Sequence, residues 1–74
     1  MKTFNQIATD ILKIKEEDIK YELKPEDIPD WDSMNYLLFI AELEKQFDMS
    51  FTMDEVIGAK SLGDVRKIVE GKQE

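Results

Sequence analysis

The chain has 74 residues, 10 of them basic and 17 acidic, which gives a formal net charge of -7 at pH 7. It contains no cysteine and no histidine, which excludes a disulfide framework, a zinc finger, a thiolate nucleophile and a serine–histidine pair. The acidity argues against nucleic-acid binding, which depends on lysine and arginine contacts to phosphates, and it favours partners with basic surfaces. This length accommodates one domain, residues 1–74, with an expected radius of gyration of about 11 Å.

The hydropathy pattern predicts a protein that does not span a membrane. The N-terminal residues lack the apolar run of a signal peptide. The longest apolar stretch, residues 36–41, is far shorter than the roughly 18 residues that a membrane span needs. We therefore expect a monomeric, cytoplasmic protein.

The first predicted element is an amphipathic helix over residues 4–14. Thr3 and Gln6 form a capping box at its start, because each side chain can bond the backbone N–H of the other. Apolar residues recur at the spacing of one helical face: Phe4, Ile7, Ala8, Ile11 and Leu12.

A long loop over residues 15–31 follows, since Pro25 and Pro29 interrupt any helix there. Pro25 is placed to begin a single helical turn over residues 25–28. The apolar residues of the loop are expected to close the core: Ile19, Tyr21, Leu23, Ile28 and Trp31. The first three alternate briefly as in a strand, but no partner strand is apparent. Loops of this length in small domains are often functional.

The second predicted helix begins at Asp32 or Ser33 and ends near Phe47, with Asp32 as its N-cap. At about 100° per residue, one face is assigned to the core: Tyr36, Phe39, Ile40, Leu43 and Phe47. Another face carries Met34, Leu38, Ala41 and Lys45, and Leu37 lies between the two.

Two further helices complete the pattern. In the short third helix, Thr52 and Glu55 form a capping box, Phe51 and Val56 form a hydrophobic staple, and Gly58 is the expected stop. The fourth begins after Ser61 and is expected to end at Gly71, with a frayed tail over 72–74. It is expected to bury Leu62, Val65, Ile68 and Val69. The predicted fold is all-α: a small four-helix bundle with a long first loop and a short third helix.

Carboxylate clusters do not indicate an enzyme or a metal site. Residues 16–18, 26–27 and the pair Asp30 and Asp32 are acidic, but a chain with 17 carboxylates produces such clusters by chance. None has the spacing and glycine of a calcium-binding loop. We therefore expect no catalysis and no metal.

Ser33 combines three features that together suggest a functional group. It follows the long loop, which predicts exposure. It lies at a helix N-terminus, where backbone N–H groups and the helix dipole favour a phosphate. It also adjoins an apolar stripe of Met34, Leu37, Leu38 and Ala41 that the core does not need. The simpler alternatives are a capping hydroxyl and a stripe that only contacts the loop.

At these residues the sequence resembles the acyl carrier protein family, including its aryl and peptidyl carrier domains. The resemblance covers nearly the whole chain, and the chain's size and acidity agree with it. Its elements are the tripeptide Asp32-Ser33-Met34, the helix positions Leu37, Ile40, Leu43, Glu44 and Phe47, and the segments 51–55 and 61–65.

The resemblance implies a carrier rather than an enzyme. A separate phosphopantetheinyl transferase would attach 4'-phosphopantetheine from coenzyme A to the Ser33 hydroxyl, and Asp32 matches the aspartate that helps the transferase recognise its target. The thiol of the arm would hold an acyl or aminoacyl group as a thioester and present it to partner enzymes. Such an arm supplies the thiol that a chain without cysteine lacks.

The expected partners are the transferase, a loading ligase for acyl or aminoacyl groups, and acyltransferase or synthase enzymes with basic or apolar docking patches. The expected docking residues are Met34, Asn35, Leu38, Ala41 and Glu44. The sequence departs from the family in two places. The loop reaches Ser33 through residues 29–32 without the usual glycine or leucine, and several second-helix positions that are often acidic are not: Asn35, Leu38, Lys45 and Gln46. The second departure indicates a dedicated partner with a more apolar surface.

The sequence does not decide where a bound acyl group would lie. Leu43, Val56 and Ala59 could line a channel for it, or the acyl chain could stay outside the core. Trp31 is interpreted as an anchor of the loop rather than a contact for cargo.

The alternative function is a non-covalent acidic helical adaptor that binds a partner protein through the second helix.

Overall fold

Four α-helices and two short 3-10 helices form in the computed structural model, which describes residues 3–73. The α-helices are α1 (Phe4–Leu12), α2 (Ser33–Phe47), α3 (Met53–Gly58) and α4 (Leu62–Gln73). No strand occurs between residues 3 and 73. The prediction of a small all-helical bundle with a long first loop and a short third helix is confirmed.

The start of α1 is fixed by the predicted capping box. The Thr3 hydroxyl accepts from the Gln6 N–H at 3.2 Å, and the Thr3 N–H donates to the Gln6 side chain at 2.9 Å. The helix ends at Leu12 rather than at residue 14, because Lys13 adopts the left-handed conformation with φ 59°. That break turns the chain away from α1 while Ile14 remains buried.

The long loop is attached to α4 rather than forming a strand. The carbonyls of Leu23 and Tyr21 accept from the N–H groups of Leu62 and Gly63, each at 2.8 Å. Tyr21 does not close the core as expected, because its ring is 49 % exposed and lies under the Arg66 guanidinium, 4.6 Å from the ring centroid. The Arg66 side chain also donates to the Tyr21 hydroxyl.

The remainder of the loop agrees with the prediction from the sequence. Its 3-10 helices cover Glu16–Asp18 and Pro25–Asp27, and the second begins with the proline that was expected to start it. Trp31 is buried, and Ile19, Leu23 and Ile28 pack half-buried against the core. The loop residues other than Tyr21 therefore close the core as predicted.

The core is built mainly by α1, α2 and α4. Phe4 and Phe39 meet edge to face with ring centroids 5.6 Å apart. The predicted faces are correct except at Ile68, which is half-buried and is not part of the core cluster; Ile11, Tyr36 and Phe47 are half-buried and pack against the core. The buried hydrophobic residues are Phe4, Ile7, Ala8, Leu12, Ile14, Trp31, Phe39, Ile40, Leu43, Leu62, Val65 and Val69.

Helix α3 has no buried residue, although Val56 packs half-buried against the core. Its predicted capping box forms: the Thr52 hydroxyl accepts from the Glu55 N–H at 3.2 Å, and the Thr52 N–H donates to the Glu55 carboxylate at 2.8 Å. That backbone bond, followed by the contact with Lys72, lowers the pKa of Glu55. The helix ends at Gly58 as expected.

Helix α4 begins after Ser61, as predicted, but it does not end at Gly71. It continues to Gln73, whose side-chain amide donates to the Phe47 carbonyl at 3.0 Å. One residue earlier, the Lys72 ammonium lies 3.1 Å from the Glu55 carboxylate. These contacts hold the last turn, so Lys72 and Gln73 are helical rather than frayed, and residue 74 lies outside the described residues.

The dimensions match the expectation from chain length, since the radius of gyration is 11.1 Å. None of the helices between residues 3 and 73 combines the length and the apolar composition that crossing a bilayer requires.

Candidate functional site

The N-terminus of α2 is capped by Asp32. Its backbone is extended (φ -101°, ψ 179°), and its carboxylate accepts from the Asn35 N–H at 2.8 Å. The Asp32 carbonyl accepts from the Tyr36 N–H at 2.9 Å and so begins the helical ladder. Asp32 is therefore the N-cap of α2, and the alternative that the Ser33 hydroxyl caps the helix is wrong.

Ser33 is the first residue of α2, and its side chain is exposed. Its hydroxyl is not used to cap the helix, because the Asp32 carboxylate has that position. The N–H groups of Ser33 and Met34 have no acceptor within the helix, as is general for the first turn. An exposed hydroxyl therefore stands beside free backbone donors at the positive end of a helix.

Asn35 connects the loop to the helix. Its side-chain amide donates to the Asp30 carbonyl at 2.7 Å, while its backbone N–H donates to Asp32. This side chain is half-buried. Its polar groups thus already serve to hold the residues on either side of Trp31, and a further role in docking stays a prediction.

Trp31 is an anchor beneath this site. It is 6 % exposed, and its ring centroid lies 6.0 Å from that of Tyr36. The Trp31 backbone N–H donates to the Ile28 carbonyl at 3.1 Å. Because the indole is buried in the core, it holds the end of the loop that leads into Ser33, in agreement with the interpretation of Trp31 as an anchor.

Two side chains of α2 hold α3 and the segment before it. The Tyr36 hydroxyl donates to the Val56 carbonyl at 2.8 Å, and burial raises the pKa of Tyr36. The Glu44 carboxylate accepts from the Phe51 N–H at 2.7 Å. Glu44 was expected to contact a partner, yet one of its oxygens is bonded within the chain, so its role in docking also stays a prediction.

The apolar stripe of α2 is exposed. We define the α2 patch as Met34, Leu37, Leu38 and Ala41. The first three side chains are 72 %, 60 % and 54 % exposed, and Ala41 is exposed as well. The long loop therefore does not cover this stripe.

Two apolar side chains on α3 are exposed without having been predicted as surface residues: Met53 and Ile57, which are 72 % and 63 % exposed. A signal was available. Met53 and Ile57 are four positions apart in a helix of six residues, so they lie on the same face. If Val56 faces the core, that face points outward. The Tyr36 hydroxyl donates to the Val56 carbonyl, and this bond holds α3 against α2, the helix that carries the α2 patch.

Whether the three residues proposed to line a channel for an acyl chain do so stays a prediction. Leu43 is fully buried, and Val56 and Ala59 pack half-buried against the core. A separate open cleft of about 220 Å³ lies beside α1, lined by Asn5 and by residues 19–22. Within residues 3–73, no group of three carboxylates is arranged to hold a metal ion.

Comparisons with known proteins identify no family for this chain. No protein-family model matches the chain, and no curated protein matches it.

Proposed function

We propose that this protein is a phosphopantetheine-dependent carrier of acyl or aminoacyl groups. The observation that carries the proposal is the placement of Ser33, which is exposed at the first position of α2 while Asp32 supplies the cap. A serine needed only to begin the helix would occupy the position that Asp32 holds.

The chemistry around Ser33 fits a phosphodiester. Attachment of 4'-phosphopantetheine would place an anionic phosphate at the positive end of α2, near the free N–H groups of Ser33 and Met34. The arm would bring a thiol to a chain that has none, and the thiol would carry the cargo as a thioester. A flexible tether raises the effective concentration of the cargo at each docked enzyme. The chain itself performs recognition and tethering, without catalysis.

The surface beside Ser33 fits docking by partner enzymes. The α2 patch offers exposed apolar side chains, and the net charge of -7 favours partners with basic surfaces around an apolar contact. The partners proposed are a phosphopantetheinyl transferase, a loading ligase and acyltransferase or synthase enzymes.

The proposal is tested by mass spectrometry after incubation with a phosphopantetheinyl transferase of broad specificity and coenzyme A. The wild type should gain the mass of one phosphopantetheine, and Ser33→Ala should gain none. Ser50→Ala is the matched control, because Ser50 is also exposed but lies outside the helix N-terminus, and it should be modified like the wild type. A wild type that stays unmodified with several such transferases would contradict the proposal.

The second candidate is a non-covalent adaptor, which the exposure of the α2 patch also favours. Binding to a captured partner separates the two functions. An adaptor would bind equally well with Ser33→Ala and lose binding with Leu38→Asp. Ser50→Asp adds the same charge outside the patch and should bind normally. A carrier would instead lose cargo transfer with Ser33→Ala.

A further inference from the structure

The methionines of this chain lie in contrasting surroundings. Met34 and Met53 are each 72 % exposed, whereas Met49 packs half-buried against the core. The chain has no cysteine, so thioethers are its only oxidisable sulfur atoms. Susceptibility of a methionine to oxidation follows its exposure, and oxidation converts a flexible apolar side chain into a polar one.

We propose that Met34 is a redox-sensitive modification site whose oxidation to the sulfoxide weakens docking at the α2 patch. The oxidant is a hydroperoxide such as hydrogen peroxide. The Met34 sulfur gains one oxygen and loses two electrons, while the O–O bond of the peroxide breaks and water is released. The docking half of this proposal rests on the proposed function, whereas the order of oxidation does not.

The position of Met34 makes this modification consequential. It directly follows Ser33, and it is more exposed than the other two large side chains of the α2 patch, Leu37 and Leu38. A sulfoxide there places a strong acceptor beside Leu37 and Leu38, where a docking partner would have to desolvate it. The thioether of Met53, on α3, is equally exposed and should be oxidised at a comparable rate, but it lies outside the patch.

The first experiment maps the order of oxidation. The protein is treated with dilute hydrogen peroxide, sampled over time and analysed by fragment-ion mass spectrometry, which separates Met49 from Met53. Met34 and Met53 should gain one oxygen several-fold faster than Met49. Oxidation of Met49 at the rate of Met34 would overturn the proposal.

The second experiment measures docking, in a Met53→Leu background that leaves Met34 as the exposed methionine of residues 3–73. Peroxide treatment should lower kcat/KM for phosphopantetheinyl transfer about fivefold, roughly the loss of one good thioether contact. It should also shorten retention on a hydrophobic-interaction column. Methionine sulfoxide reductases, which act on the two sulfoxide epimers, should restore both properties.

The control is Met34→Leu in the same background, which keeps the patch apolar but removes the sulfur. Its transfer rate and retention should not respond to peroxide. A fully oxidised Met34 with unchanged transfer and unchanged retention would overturn the proposal. Failure of the untreated protein to accept phosphopantetheine would instead contradict the proposed function, and retention would still report on the oxidised patch.

Discussion

Two threonine hydroxyls on and beside α1 have opposite surroundings. The Thr3 hydroxyl caps the helix by accepting from the Gln6 N–H. The Thr9 hydroxyl is buried and has no hydrogen-bond partner. A buried polar group without a partner costs about 1–3 kcal/mol, whereas loss of an N-cap costs about 1 kcal/mol.

The same substitution should therefore change stability in opposite directions at these two positions. Thr9→Val keeps the shape and β-branching of the side chain and should raise the free energy of unfolding by about 1 kcal/mol. Thr3→Val should lower it by about 1 kcal/mol. Urea unfolding followed by circular dichroism measures both. A loss of stability in Thr9→Val would show that its hydroxyl has a partner after all.

At the level of single elements, local signals explain what the sequence predicts well. The capping boxes at Thr3 and Thr52 join residues three positions apart, so they can be recognised without knowledge of the fold. The exposure of Ser33 follows in the same way from the cap at Asp32 and from the apolar spacing along α2.

Contacts between distant segments explain what the sequence did not reveal. The last turn of α4 depends on a bond from Gln73 to a carbonyl 26 residues away, so Gly71 does not end the helix. Glu44 bonds to Phe51 because Asp48, at φ 51°, ends α2 and reverses the chain.

Helix α4 contains two glycines with opposite requirements. A Cβ at Gly63 would lie 2.8 Å from the Tyr21 Cβ and 2.9 Å from the Tyr21 carbonyl oxygen. That carbonyl accepts from the Gly63 N–H, so the loop and the helix must approach closely. Around Gly71, a Cβ would meet nothing within 4 Å.

Gly63→Ala should therefore lower the free energy of unfolding by about 1–3 kcal/mol, because the backbone of the loop has to shift. Gly71→Ala should raise it by up to about 1 kcal/mol, because alanine favours a helix more than glycine does. Thermal unfolding of the two variants beside the wild type measures the difference. Equal effects would mean that the attachment of the loop to α4 is loose.

The Tyr36 side chain connects α2 to α3 through its bond to Val56, and its burial should make the free energy of unfolding fall at alkaline pH. Burial raises the pKa of Tyr36 above its ordinary value of 10.0. The folded state therefore holds this proton more tightly than the unfolded state does. The resulting stabilisation is present below pH 10.0 and is lost as the pH rises through the folded-state pKa.

Tyr36→Phe isolates this contribution. Near neutral pH the variant should lose about 1 kcal/mol of stability, because the Val56 carbonyl loses its donor. Above pH 10.0, the wild type should lose stability more steeply than the variant. Urea unfolding at a series of pH values makes the comparison. Parallel pH profiles for the two proteins would contradict a buried, hydrogen-bonded phenol.

At the scale of the whole molecule, the net charge of -7 acts across the entire fold. The principal extents are 28, 26 and 20 Å. The screening length is about 30 Å at 0.01 M ionic strength, so every charge then acts on every other, but it falls to about 8 Å at 0.15 M. Salt therefore removes most of the long-range repulsion while leaving contacts between neighbours.

Two ion pairs among residues 3–73 are too exposed to reverse this effect. Lys72 with Glu55, and Arg66 with Glu70, lie at 3.1 Å and 3.3 Å, and their side chains are 29–60 % exposed. Exposed pairs of this kind contribute about 0–1 kcal/mol each. Screening should weaken them only slightly, so relief of repulsion is expected to be the larger effect.

Raising sodium chloride from about 0.01 M to about 0.15 M should therefore raise Tm. A gain of about 1 kcal/mol in the free energy of unfolding corresponds to a rise in Tm of about 4–8 °C for a domain of this size. Glu17 and Glu26 are both exposed in the long loop, and replacing both with lysine changes the net charge from -7 to -3. In that double variant, Glu17→Lys with Glu26→Lys, the rise should be clearly smaller, because less repulsion remains to be screened. Calorimetry at the two salt concentrations measures both proteins. An equal rise in the two would assign the effect to salt acting on apolar hydration rather than on charge.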